Sequence, residues 1–207
     1  MHASAWSRLY ARLGRVFWEL RSRDLDRRYG SSLGDAAALE AVLAKRRPRS
    51  VLEVGCGAGR LVPVYERQGV ERLVGVDISE RALVLARRRH GRHCFVRAAA
   101  SELPELGSFE LAVAFRALQH VDGRSLERVL DRLTSLAGAI FLQERRGGRG
   151  HPYLFVHDYD TLLAARGFAC SFREGDAALY SRRSKESSTS SGRSEGLRTS
   201  SSTRRTR

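Results

Sequence analysis

Short apolar runs alternate along most of the chain with stretches whose apolar residues recur every three or four positions. Val51-Leu52-Glu53-Val54, Leu73-Val74-Gly75-Val76, Cys94-Phe95-Val96, Leu111 to Phe115 and Ala139-Ile140-Phe141-Leu142 have the length and content of buried strands. Between them, Leu61-Val62-Val64-Tyr65, the segment after Ser79, and Leu126, Val129, Leu130 and Leu133 carry helical spacing. Ser79 stands one residue before Glu80-Arg81-Ala82-Leu83, where its hydroxyl suits an N-cap. Asp35 to Lys45 predicts a helix capped by Asp35 and stopped by Arg47-Pro48. Asp158 to Gly167 predicts another. Phe168 to Phe172 and Ala177 to Tyr180, joined by a turn with Gly175-Asp176, read as a closing antiparallel pair. Strands alternating with helices predict a doubly wound, mostly parallel α/β sheet.

The junction after the first strand is the most specific feature. Glu53, Gly55, Cys56, Gly57 and Gly59 form an acidic-x-Gly-x-Gly-x-Gly loop that runs into a helix. Glycine lets such a loop turn sharply and its backbone approach a ligand. The following helix directs unpaired N–H groups at whatever fills the turn. This is a nucleotide-type binding loop. The dinucleotide pattern G-x-G-x-x-G fails, because its third position is Arg60 in one register and Val62 in the other. A P-loop fails too, since Arg60-Leu61-Val62 replaces Gly-Lys-Ser/Thr.

The acidic-glycine pattern resembles the class I S-adenosylmethionine (SAM)-dependent methyltransferases, over about Arg49 to Ser181. The resemblance implies a seven-stranded, Rossmann-like sheet closed by the antiparallel pair. It implies SAM as cofactor, with Asp77 at the end of the second strand binding ribose hydroxyls and Ile78 against adenine. The family often places an acid after its third strand for the adenine amino group. Here that position is Ala99, followed by Ala100, so backbone groups or the Glu102 carboxylate would substitute. One missing hydrogen bond is worth on the order of 1 kcal/mol. Phe115 ends the fourth strand, and Leu118-Gln119-His120-Val121 looks like the segment lining the family's methyl-transfer pocket.

Composition bounds the rest. The 207 residues suffice for one domain with appendages: residues 1–47 as N-terminal helices, 48–181 as the SAM-binding domain, 182–207 as a tail. Of the net charge of +14, the tail's eight Lys/Arg and two acids account for +6. Rich in Ser, Thr and Arg, that tail lacks the apolar residues to order itself. Aromatics are not interleaved with the basic clusters, so a nucleic-acid substrate is possible but not favoured. Cys56, Cys94 and Cys170 are scattered without metal-ligand or disulfide spacing, which fits a reducing cytoplasm and no metal. No apolar run approaches a membrane span, and arginines interrupt any leader-like segment. Trp6, Leu9, Tyr10, Leu13, Val16, Phe17 and Leu20 form one apolar helical face. It would pack on the sheet domain, cover the substrate as a lid, or, given its arginines, lie on a membrane surface.

Catalytic candidates are His120, following the fourth strand, and Glu144, ending the fifth. Either has a structural alternative: a backbone-bonded loop histidine, or an ion pair to Arg145 or Arg146. His151, Tyr153 and His157 lie in the loop where the family reads its substrate, and are candidate substrate-binding residues. The Asn-Pro-Pro-Tyr-like tetrad of enzymes that methylate exocyclic base amines is absent after Phe115. The reading is a SAM-dependent enzyme methylating oxygen or nitrogen of a small molecule. The alternatives are a nucleic-acid or protein methyltransferase and a non-catalytic SAM-fold scaffold.

Overall fold

The computed structural model describes residues 13–22, 24, 35–145 and 154–183. The tail beyond residue 183 and the first twelve residues lie outside them. Residues 13–22 form helix α1. There follow α2 (Ala37–Arg46), β1 (Ser50–Val54), α3 (Val62–Arg67), β2 (Arg72–Asp77), α4 (Glu80–Arg89) and β3 (Cys94–Arg97). The second half comprises β4 (Leu111–Phe115), α5 (Gly123–Leu136), β5 (Ala139–Gln143), α6 (Tyr159–Ala164), β6 (Phe168–Glu174) and β7 (Ala177–Arg182). Short 3₁₀ turns occupy Ala100–Glu102 and Leu118–His120.

One seven-stranded sheet has the order β3-β2-β1-β4-β5-β7-β6. β1 to β5 are parallel, while β7 pairs antiparallel with both β5 and β6. Alternation along the strands sorts the core into two layers. Val51, Leu73, Leu111, Val113 and Phe141 pack with Leu39, Val62, Tyr65 and Leu83 on one face. Leu52, Val54, Val76, Ala114 and Ile140 pack with Leu126, Val129, Leu133 and Leu163 on the other. Both faces are therefore covered by helices, as near-continuous apolar strands require.

Three local expectations meet the structure with different results. Ser79 caps α4 by accepting from Ala82 N at 3.2 Å, and Asp158 caps α6 through Thr161 N at 3.1 Å. Asp35 does not cap α2: the N-cap is Ala36, without a side-chain bond. The cause is competition, because Gln143 Nε2 holds the Asp35 carbonyl at 2.8 Å and the carboxylate pairs with Arg60 at 2.8 Å. In α1, the expected apolar face is only partly described: Trp6, Leu9 and Tyr10 lie outside the described residues, and Phe17 is half-buried. Leu13, Val16 and Leu20 are exposed, and the inward face carries Gly14, Trp18 and Ser22, one turn apart. No helix among the described residues is long and apolar enough to cross a membrane.

Candidate functional site

The strand order reverses between β1 and β4, which opens a crevice at their carboxyl ends. A cavity of about 700 Å³ lies there, bounded by the β1 loop, the end of β2, the end of β4 and the inward face of α1. Gly55 N and Cys56 N donate to Val76 O at 2.7 and 3.1 Å, which ties the loop to β2. Gly55 (φ 79°) admits the neighbouring chain, since a Cβ there would stand 2.3 Å from that of Ala117. Gly57 (φ 54°) is different: nothing lies within 4 Å of where its Cβ would be. It lines the cavity, leaving its backbone accessible to a ligand. Gly59 does not line the cavity and instead packs against the His90 ring. Cys56 is a buried filler, seated where Gly75 lacks a side chain; burial pushes its thiol well up, away from nucleophilic use.

Two carboxylates face this backbone. Glu53, 3% exposed, is pushed up to about 8, chiefly by burial, with Arg60 drawing it down and Asp77 pushing it further up. Arg60 pairs with Asp35 and lies over the Phe115 ring, 4.9 Å from its centroid. Asp77 Oδ2 accepts from Gly57 N at 2.9 Å, and Oδ1 from Ser79 N at 2.8 Å. Burial raises the Asp77 pKa although these N–H groups oppose the shift. Each carboxylate oxygen keeps a lone pair beyond the one in use, so Asp77 is positioned and still able to accept. Beside it the wall is made by Ile78, Ala99, Ala100 and Ser101. Glu102 is exposed and borders an adjoining hollow with Arg15 and Pro104, so the polar side chain reaching the main cavity here is Ser101.

The opposite wall is the turn after β4. Arg116 takes a left-handed conformation (φ 53°) and swings the chain into the 3₁₀ turn that carries Gln119 and His120 into the cavity wall. Glu144 lies underneath, 1% exposed and outside the cavity. Its Oε1 accepts from Ala117 N and Leu118 N at 2.9 Å, and its Oε2 from Gln119 N at 3.1 Å. Burial pushes it up to about 7 against the pull of those donors. Gln119 Oε1 accepts from Arg145 N at 3.2 Å, which turns its amide nitrogen toward His120 Nε2, 3.3 Å away. That nitrogen of His120 is therefore the acceptor. Trp18 of α1 meets the His120 ring edge-on, with centroids 4.6 Å apart. His157 bonds Val121 O at 2.8 Å through Nε2 and sits between Phe155 and Tyr159, outside the cavity wall. His151 and Tyr153 lie outside the described residues.

Residues 51–137 match the family model described as a methyltransferase domain. That stretch carries a methyltransferase domain, and the seven-stranded sheet around it has the Rossmann-like fold of methyltransferases. The fold is also that of solved structures with low sequence identity. Magnesium protoporphyrin IX methyltransferase from Synechocystis PCC 6803, with bound SAH (S-adenosylhomocysteine), is 17% identical with a TM-score of 0.68, covering 84% of this chain and 100% of that one. A SAM-bound amino pentose methyltransferase from Micromonospora echinaspora is 15% identical with a TM-score of 0.62, covering 72% and 91%. An N-methyltransferase from Bradyrhizobium japonicum WM9 is 15% identical with a TM-score of 0.59, covering 72% and 96%. No curated protein matches the chain.

The structure brings Glu53, Gly55, Cys56, Gly57, Asp77, Ile78, Ala99, Ala100, Phe115 and His120 to one cavity. Trp18, Arg60, Ser101 and Phe155 join them without having been singled out in the sequence. Trp18 was open to detection: with Gly14 and Ser22 it forms a small-aromatic-small row at four-residue spacing, suited to close approach over a pocket.

Proposed function

We propose that the chain binds SAM in this cavity and transfers its methyl group to an oxygen or nitrogen of a small-molecule acceptor. The observation that carries this reading is the pairing of Glu53 and Asp77 across the open backbone of Gly57, inside one cavity at the sheet's reversal point. Its volume is that of a small-molecule site. The buried residues fit the cofactor's chemistry. Asp77 offers spare lone pairs to vicinal hydroxyls, Ile78, Ala99 and Ala100 give a flat apolar wall, and Glu53 stands ready to meet positive charge.

When bound, SAM supplies a methyl group already activated by its sulfonium. The protein's share is then alignment and exclusion of water, and positioning alone supplies roughly 7–11 kcal/mol in favourable cases. α1 closes the cavity opposite the sheet, with Trp18 set against His120. His120 is the candidate proton acceptor, placed by the turn that Glu144 holds; to take the proton its Nε2 exchanges the Gln119 amide for the reacting hydroxyl or amine. Glu144 itself positions that turn, all three of its bonds being to backbone N–H groups. Replacing His120 by Ala should lower turnover about 10²- to 10⁴-fold with SAM affinity kept.

Calorimetric titration with SAM, together with a thermal shift, tests the reading. Saturable binding lost on Asp77→Ala supports it. No heat and no shift at millimolar SAM overturns it and favours a non-catalytic scaffold. Radiolabelled methyl transfer into fractionated lysate then separates small-molecule acceptors from nucleic acid and protein.

A further inference from the structure

Resting on the SAM reading, we propose that the acceptor is a flat, aromatic molecule carrying an anionic substituent, held between Trp18 and Phe155 and met by Arg116. The cavity has two ends. Asp77, Ile78 and Ala99 mark the one at β2. The other, at the turn after β4, is walled by three rings: Trp18 from α1, His120 from the turn, and Phe155 from the segment before α6. Trp18 and His120 are in edge contact at 4.6 Å, and Phe155 is fixed beside the same turn by its N–H to Gln119 O at 2.8 Å. Rings brought from three separate segments to one end of a cavity make a slot for a planar guest, for which ring-on-ring contact adds to area burial.

The charges at that end decide between anion and cation. A ring slot by itself also suits an ammonium. Four acids line the cavity among the described residues; each stands at the other end or has its charge offset by a neighbouring cation or, for Asp122, by the N-terminus of α5. Glu53 and Asp77 belong to the glycine loop and β2. Asp35 pairs with Arg60, and Asp122 caps α5 by accepting from Arg124 N and Ser125 N at 3.1 Å. The cation is Arg116, half-exposed, with a loose 3.7 Å approach to an Asp176 that is itself half-exposed. Its left-handed backbone, an unfavourable conformation for a non-glycine residue, holds it at the cavity rim.

Calorimetry with the full chain saturated with SAH tests this, using a hydroxynaphthoate, its fully saturated ring analogue, and naphthylmethylammonium as probes. The expected order is hydroxynaphthoate tightest, by at least about fivefold over either other probe. Trp18→Ala should erase the preference for the flat over the saturated ring, and Arg116→Gln the preference for the anion over the ammonium. Both variants should bind SAH within about threefold of the unaltered chain. Equal binding of flat and saturated probes, a preference for the ammonium, or retention of both preferences in the variants overturns the proposal while leaving the cofactor reading intact. Failure of SAH itself to bind overturns both.

Discussion

Two glycines of one loop face opposite demands, and their substitutions should fail in opposite ways. At Gly55 a Cβ would fall 2.3 Å from that of Ala117, and both backbones are held by hydrogen bonds, Gly55 N to Val76 O and Ala117 N to Glu144. Gly55→Ala should therefore destabilise the fold by about 1–3 kcal/mol through overpacking, read as a fall in denaturation midpoint. At Gly57 the same methyl meets empty cavity, so Gly57→Ala costs the fold only about 1–2 kcal/mol for its left-handed backbone. The substitution should still weaken SAM by at least about tenfold in calorimetry, because the methyl occupies the space that the ligand needs. Glu53 makes a third residue-scale case. Held up to about 8 by burial, it is mostly protonated at neutral pH and gives up its proton when positive charge arrives beside it. SAM binding at pH 7 should release a fraction of a proton, seen as a buffer-dependent heat, and affinity should rise with pH toward 8. In Glu53→Gln both effects should vanish.

At the scale of elements, the turn after β4 is held from below rather than by its own sequence. Glu144 satisfies three consecutive N–H groups, and Arg116 accepts an unfavourable φ to deliver them. Glu144→Gln keeps the volume but sets an amide N–H₂ against a backbone N–H. It should cost about 1–3 kcal/mol of stability. It should also reduce turnover, through displacement of His120, while SAM affinity changes less than threefold. A residue acting directly as base would instead lose turnover with the stability unchanged. This role was not legible in the sequence, where Glu144 next to two arginines reads as an ion pair or a catalytic base; the 3₁₀ turn it serves is 25 to 27 residues away. The strands and the glycine loop were legible, because their signals are local: a buried apolar run, then residues that alone tolerate positive φ. α1 shows the limit of periodicity. Its hydrophobic stripe predicted the buried face, yet Leu13, Val16 and Leu20 point to solvent, while the cavity selected the face carrying Gly14, Trp18 and Ser22. Shape complementarity to a partner 100 residues away leaves no mark on the local pattern.

For the whole molecule, the site's buried carboxylates make stability a function of pH. Glu53 and Glu144 rise from an ordinary 4.5 to about 8 and about 7 in the fold, in each case chiefly because burial disfavours the charge. Between those limits the folded chain keeps protons that the unfolded chain has already lost. The unfolded state binds fewer protons, so stability must fall as pH rises. The contribution is complete below about 4.5, declines through 7 and 8, and each group in transition adds a slope of about 1.4 kcal/mol per pH unit. Thermal midpoints recorded from pH 5 to pH 9 without ligand should therefore slope downward. Glu53→Gln should flatten the slope up to pH 8, and Glu144→Gln up to pH 7, whatever their offsets at a single pH. Saturating SAM should flatten it as well, since a cation beside Glu53 removes the reason for holding the proton. A profile that instead rises between pH 5 and pH 8 would mean these carboxylates are ionised in the fold, stabilised more by Arg60 and the backbone N–H groups than penalised by burial. Such a cavity would be charged before any ligand arrives, and binding would release no proton.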